Sequence, residues 1–188
     1  MANNCMTRLA PVFLIGVCLS VSAGELQQVN VHYHSGVYQL DLDAIINARQ
    51  DAVFTLVSDY DHLDRISRVL SESALLSSSG TGLKQRRLVA KTCVWFFCFT
   101  AIMVEDVKEI GKHTIITTMV PEESDFKSGR TEVTVTAIGK RRSRIHVYLE
   151  EEPGFWIPPL IGPILMKHKL LKEALDTIKQ IEILTHDV

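Results

Sequence analysis

Two residue pairs in the chain have the spacing of a chemical unit. Cys93 and Cys98 bracket the run CVWFFC, and His32-x-His34 sets two imidazoles on one face of an extended segment. In one straight strand the two cysteine Cα atoms would lie about 16 Å apart, far past bridging range, so a disulfide requires a turn at VWFF. The histidines supply two ligands where zinc takes three or four protein ligands, and no third stands at a telling spacing, so they read as solvent-facing and no metal is expected. Neither cysteine has a histidine close in sequence to activate it. GxSxG, HExxH, P-loop and Rossmann fingerprints are absent, so no catalytic residue is assigned and no cofactor is implied. Glu122, Glu123, Ser124 and Asp125 read as a loop-capping cluster, in which Asp125 could instead bond a ligand's polar group or accept a proton. Arg144, His146 and Tyr148 alternate with Ile145, Val147 and Leu149. The polar set fits an outward face; on an inward one, Tyr148 would be the second polar contact to a ligand. Lys84, Arg86, Arg87 and the cluster from Lys140 to Arg144 read as solvated faces, with a weak anionic-lipid contact as the other reading.

Composition limits what these residues can serve. A formal net charge of −2 over 188 residues leaves no electrostatic footprint for nucleic acid. The first 23 residues have the plan of an export signal: Arg8, an apolar run of 13 from Leu9 to Val21, and small residues through Ala23 for cleavage. That run is too short to span a bilayer. Cleavage would leave residues 24–188 as one domain, in the periplasm or secreted, with Cys93 and Cys98 as its remaining cysteines. An oxidising compartment favours their pairing. A signal of lipoprotein type would modify Cys18, where Val17 is bulkier than such sites use.

The elements that must position these residues are a series of strands and one long helix. From Val29 to Leu42 the alternation is loose and predicts an edge strand kinked at Ser35-Gly36. Asn47 or Asp43 is placed to cap a short helix through Val57, and a second short helix or turn carries Leu63, Ile66 and Val69. Six strands follow: Ser71–Ser79, Leu83–Lys91, Phe99–Val107, His113–Val120, Thr131–Ala137 and Arg144–Leu149. From Leu83 to Val107 is far too long for one strand, so the chain must fold back at CVWFFC. Length and cysteine geometry put a hairpin tip at the same place. From Pro163 to Leu184 the pattern predicts a helix about 33 Å long, with Ile164, Leu171, Ala174, Leu175, Ile178 and Ile181 on the inner face.

Short connections make the six strands an antiparallel meander, whose alternate turns share an end. One end collects Ser79–Gly82, Glu109–Lys112 and Ile138–Arg142, all polar and Gly-containing. The other collects CVWFFC, PEESDFKSG and PGFWIPPLIG, and with them Trp95, Phe96, Phe97, Phe126, Phe155, Trp156 and Leu160. Loops are normally polar. This apolar pole either plugs the end of the fold as core, or forms a mouth that admits a greasy ligand or touches a bilayer.

This order of elements resembles the START-like (SRPBCC) helix-grip superfamily, which includes lipid-transfer domains, the birch-pollen allergen and polyketide cyclase/dehydratase proteins. The segment SDYDHLDRISRVLSES, the stretch from Ser124 to Gly129 (SDFKSG) and the lead-in FWIPPLIGP carry the resemblance, which runs from about Val29 to Leu184. It is nearest in flavour to the coenzyme-Q-binding members, from which the export signal and the CVWFFC tip depart, and is similar to exported bacterial members. The resemblance implies an α+β fold in which a curved antiparallel sheet wraps a long C-terminal helix, with two short helices after strand 1. It further implies a cavity between sheet and helix for a lipid, quinone or polyketide-like molecule. Trp95, Phe96, Phe97, Phe126, Phe155, Trp156, Leu160, Ile164 and Leu171 would line that cavity or its mouth, and Asp125 and Tyr148 would give polar contacts. Gly154 and Gly162 would act as hinges. A monomeric carrier without catalysis, touching a membrane transiently, is the favoured function; a cyclase- or dehydratase-like enzyme in the same cavity is the alternative.

Overall fold

The computed structural model describes residues 25–78, 83–94, 97–157 and 162–186. The stretch expected to be an export leader (1–23), the turn expected at Ser79–Gly82, and Trp95, Phe96 and Leu160 lie outside the described residues. Eight strands form one antiparallel sheet in the order β1-β2-β8-β7-β6-β5-β4-β3. They are β1 (Glu25–His34), β2 (Val37–Ile46), β3 (Leu70–Ser78), β4 (Leu83–Val94), β5 (Phe97–Ile110), β6 (Thr114–Met119), β7 (Phe126–Ile138) and β8 (Arg142–Pro153). The meander from β3 to β8 is as expected. The sheet curves without closing around α2 (Gly162–His186), and a short helix α1 (Gln50–Val57) and a 3-10 turn (Leu63–Arg65) follow β2.

The kink expected at Ser35-Gly36 is a hairpin turn. Both residues take left-handed φ, 51° and 94°, the backbone of a two-residue turn whose twist suits the flanking strands. What reads as one edge strand is therefore two. The second is interior: β2 pairs with β1 on one side and β8 on the other, and Tyr38, Leu40, Leu42, Ala44 and Ile46 are buried at every second position. The residue at the head of α1 is Arg49, without a side-chain cap; Asp43 lies inside β2, and the Asn47 N–H instead donates to Glu182 Oε1 of α2 at 3.1 Å.

CVWFFC folds back as its length requires. Cys93 pairs with Cys98 across β4 and β5, their Cα atoms are 3.9 Å apart and the sulfurs are bonded. The connection PEESDFKSG opens with a 3-10 turn (Pro121–Glu123), and its last four residues, from Phe126, are already strand. Past the end of β6, Ser124 and Asp125 lie along β5, where the Asp125 carboxylate accepts the Ile102 N–H at 2.7 Å and Ser124 Oγ accepts the Val104 N–H at 2.9 Å. β7 then begins at Phe126.

The helix α2 shows the face 170, 174, 178 and 181 to the sheet. Ile178 and Ile181 are buried, and Leu170, Ala174 and Leu184 pack against the same core. Ile164 and Leu175, expected inward, are 60% and 40% exposed. Apolar residues occur almost all round this helix, so periodicity alone leaves its rotation open, and the curvature of the sheet sets it. Ile178 and Ile181 join the aliphatic core of β2, β8 and α1.

Candidate functional site

Strand alternation decides which side chains look into the concave face. On β8 the inward series is Ile145, Val147, Leu149 and then Glu151, which stands between Tyr38 of β2 and Gly129 of β7. On β5 it is Phe99, Ala101, Met103, Glu105 and Val107, and on β4 it is Lys84, Arg86, Leu88 and Ala90. The apolar ends of these series and the first half of α2 enclose a partly open cavity of about 220 Å³. Its wall is almost wholly apolar, with Ala101, Met103, Phe126, Leu149, Phe155 and Leu170 prominent. The ring of Phe155 is 5.0 Å from that of Phe99 and 5.6 Å, edge-on, from that of Phe126, contacts that fix the aromatic end of the wall.

Glu151 is the carboxyl on the sheet side of this cavity. It keeps some accessible surface because it borders a cavity, yet the protein around it withdraws it from bulk water. Burial first, and the charge of Glu105 second, push its carboxyl up to about 7, against a smaller opposing pull from Arg86. Among the described residues its side chain makes no hydrogen bond or ion pair. Gly129 faces it from β7, where a Cβ would stand 2.8 Å from Met119 Cε and in ordinary contact, at 3.6 Å, with Glu151 Cγ.

The other charged groups that β4 and β5 place on the concave face are paired, while the buried Ser143 hydroxyl on β8 has no hydrogen-bond partner among the described residues. Arg86 and Glu105 form an ion pair at 2.7 Å with side chains 11% and 4% exposed. Thr117 Oγ1 donates to the second Glu105 oxygen at 2.8 Å. The Arg86 guanidinium lies over the Tyr60 ring, 5.5 Å from its centroid. The Tyr60 hydroxyl donates to Glu109 Oε1 at 2.7 Å, and Lys84 Nζ donates to the same oxygen at 2.6 Å. Burial, then this bond, pushes the Tyr60 hydroxyl far up. Burial would also raise Glu109, but the Lys84 and Tyr60 bonds outweigh it and hold the carboxylate below its usual range. Lys84 and Arg86, expected as solvated, thus face inward, and Arg87 of that trio turns out to pair with Glu72.

Of the residues singled out in the sequence, the structure brings Phe126 and Phe155 to the cavity. Phe97 opens β5 opposite Val94. Leu171 is half-buried beside the lining Leu170, while Trp156 and Ile164 are 77% and 60% exposed. Asp125 is occupied with the β5 backbone. Tyr148 is on the convex face opposite Asp41 and Glu132, and its hydroxyl donates to Glu150 at 2.8 Å. His32 and His34 are exposed on β1. Gly154 and Gly162, the expected hinges, are closely packed, since a Cβ would meet Asp125 O at 2.8 Å and Ile157 Cγ2 at 2.2 Å. Glu151, Glu105 and Arg86 are the residues that sequence reasoning missed. Glu151 continues, by one step of two, the alternation of Ile145, Val147 and Leu149, and Glu105 stands at the same spacing after Ala101 and Met103.

Solved structures share this architecture. A STAR-related lipid transfer protein from Xanthomonas axonopodis superposes with a TM-score of 0.65 at 14% identity, over 88% of this chain and 99% of that one. A START superfamily protein from Mycobacterium smegmatis gives 0.63 at 17% identity, over 78% and 99%. An aromatase/cyclase from a Streptomyces species gives 0.63 at 11% identity, over 80% and 94%. At these identities the likeness is one of fold. No curated protein matches the sequence. Residues 39–180 match the family described as polyketide cyclase / dehydrase and lipid transport, and with the curved sheet, the partly open cavity and the long closing helix this places the chain in that family.

Proposed function

We propose that the protein is an exported carrier that holds an apolar small molecule, of lipid, quinone or polyketide-like type, between the concave face of the sheet and α2. The observation that carries this reading is the cavity itself, walled almost entirely by aliphatic and aromatic side chains beneath the helix. Binding would be driven by desolvation, about 2.5 kcal/mol for each 100 Å² of apolar ligand surface removed from water. At about 220 Å³ the space suits a short or slender guest, since drug-sized sites run from roughly 300 to 1,000 Å³. The leader over residues 1–23 and the Cys93–Cys98 bond support export to the periplasm or the medium. The protein acts as a monomer, and exposed Trp156 and Ile164 give it a transient contact with a membrane surface.

Native mass spectrometry of protein purified from its own host, followed by extraction of the bound material, tests the reading. It expects an apolar adduct on a chain that starts near Gly24. A ligand-free chain that also fails to take up an apolar fluorescent probe would overturn it. A second reading, a cyclase- or dehydratase-like enzyme, is favoured by Glu151, a carboxyl near neutrality in an apolar site and so suited to general acid–base work. Conversion of a supplied ligand to a product of different mass, lost in Glu151→Gln, would decide for it.

A further inference from the structure

Carboxylates on the concave face come with partners, except one. Glu105 has Arg86 and Thr117; Glu109 has Lys84 and Tyr60. The Arg86 charge is already engaged, since both its Nε and an NH2 group approach one Glu105 oxygen. Glu151 has neither cation nor hydrogen bond among the described residues. The groups that face it come from every element around the cavity: Tyr38 on β2, Glu105 on β5, Arg86 on β4, and Lys169 and Glu173 on α2. Tyr38 is a neutral phenol, pushed up to about 12 by burial and then by Tyr33. Glu173 is held by Ser67 Oγ at 2.7 Å and the Val69 N–H at 3.4 Å. Lys169 stands on the helix wall and makes no ion pair with Glu151 among the described residues.

An unpartnered carboxyl in an apolar space is most stable as the uncharged acid, which has one O–H to donate. A donor aimed at an apolar cavity is satisfied by a guest that brings an oxygen acceptor. An anionic guest would instead set a second negative charge near Glu105 in a medium of low dielectric.

We infer that Glu151 selects a neutral ligand whose buried end carries an oxygen acceptor such as a ketone or ester carbonyl, and that it rejects the carboxylate of the same chain length. The inference rests on the ligand-binding reading above and names the ligand class. In the complex the Glu151 hydroxyl donates to the carbonyl oxygen while the guest's chain lies against Met103, Leu149 and Leu170.

Binding of decan-2-one, decanoate and decylamine to the folded domain, by calorimetry at pH 6 and pH 8.5, tests it. At pH 6 decan-2-one should bind at least tenfold tighter than decanoate. Because the site must be protonated, its affinity for decan-2-one should fall by about 30-fold at pH 8.5 for a carboxyl that titrates near 7. Glu151→Gln keeps a donor that does not titrate, so the affinity should become flat with pH; Glu151→Leu should lose the preference for ketone over plain decane. Decanoate binding as well as decan-2-one, or decylamine outcompeting it at both pH values, would overturn the inference and leave the carrier reading in place. Failure of all three probes and of decane would remove the carrier reading and the inference together.

Discussion

Replacing Arg86 by methionine removes the cation from a pair that is almost out of water, with side chains 11% and 4% exposed. The Glu105 carboxylate would keep the Thr117 hydroxyl at 2.8 Å and lose its counter-charge. Breaking a buried pair from one side costs about 3–5 kcal/mol, a large share of the roughly 5–15 kcal/mol that holds a domain together. Glu105→Leu, which strands the guanidinium, should cost a similar amount. The double variant Arg86→Met/Glu105→Leu should be far milder, because an apolar replacement of both partners is often neutral, so the two losses should miss additivity by several kcal/mol. Urea unfolding followed by circular dichroism reads this directly. At a slope of about 2 kcal/mol per molar, a loss of about 4 kcal/mol moves the midpoint down by about 2 M. Single variants that each shift it by less than about 0.5 M, or losses that simply add, would refute the claim that this pair is buried and coupled.

Glu151 makes stability depend on pH in the opposite sense to an ordinary ion-paired acid. Burial pushes its folded carboxyl up to about 7, from the 4.5 of an ordinary glutamate, so the folded state holds the extra proton between those limits and stability falls as pH rises through that window, by on the order of 3 kcal/mol. Glu151→Gln should therefore be the more stable protein at pH 8, as chemical denaturation at pH 5 and pH 8 would record. Cys93→Ser/Cys98→Ser should cost no more than about 2 kcal/mol, since the bond closes a short loop that the β4–β5 pairing already closes; thiol titration of the mature, unreduced wild type should find no free thiol. Trp156→Ala removes a ring that is 77% exposed, so it should leave the unfolding midpoint unchanged and lower the fraction that co-sediments with lipid vesicles.

The elements were legible wherever one physical rule acted alone. CVWFFC had to be a hairpin tip because no strand of that length exists, and Val133, Val135, Ile145 and Val147 had to face inward because alternation allows nothing else. Ser35-Gly36 lacks the Asn-Gly or Asp-Gly signature of a two-residue turn, so one strand appeared where two run antiparallel. The site was illegible for a different reason. Arg86 reads as a solvated charge, and Glu105 and Glu151 belong to no motif that singles them out, yet all three hold inward strand positions. For Glu151 the strand also continues beyond Leu149 because Tyr38 of β2 is there to pair with, a partner hidden by the missed hairpin. On α2 the difficulty was surplus, with apolar residues on too many sides to name the buried one.

The two carboxylates by which α2 grips the rest of the chain sit at Glu173, held by Ser67 and Val69, and at Glu182, held by Asn47. From Gly162 to Leu170, the stretch that roofs the cavity, no side chain makes a hydrogen bond among the described residues. The helix is moored by hydrogen bonds from its middle, at Glu173, to its end, at Glu182, so a guest that left by lifting the roof would do so beside Met166, with Glu173 as the fulcrum. A crosslink from that first turn to the sheet would trap the guest, and one placed near Glu182 would not.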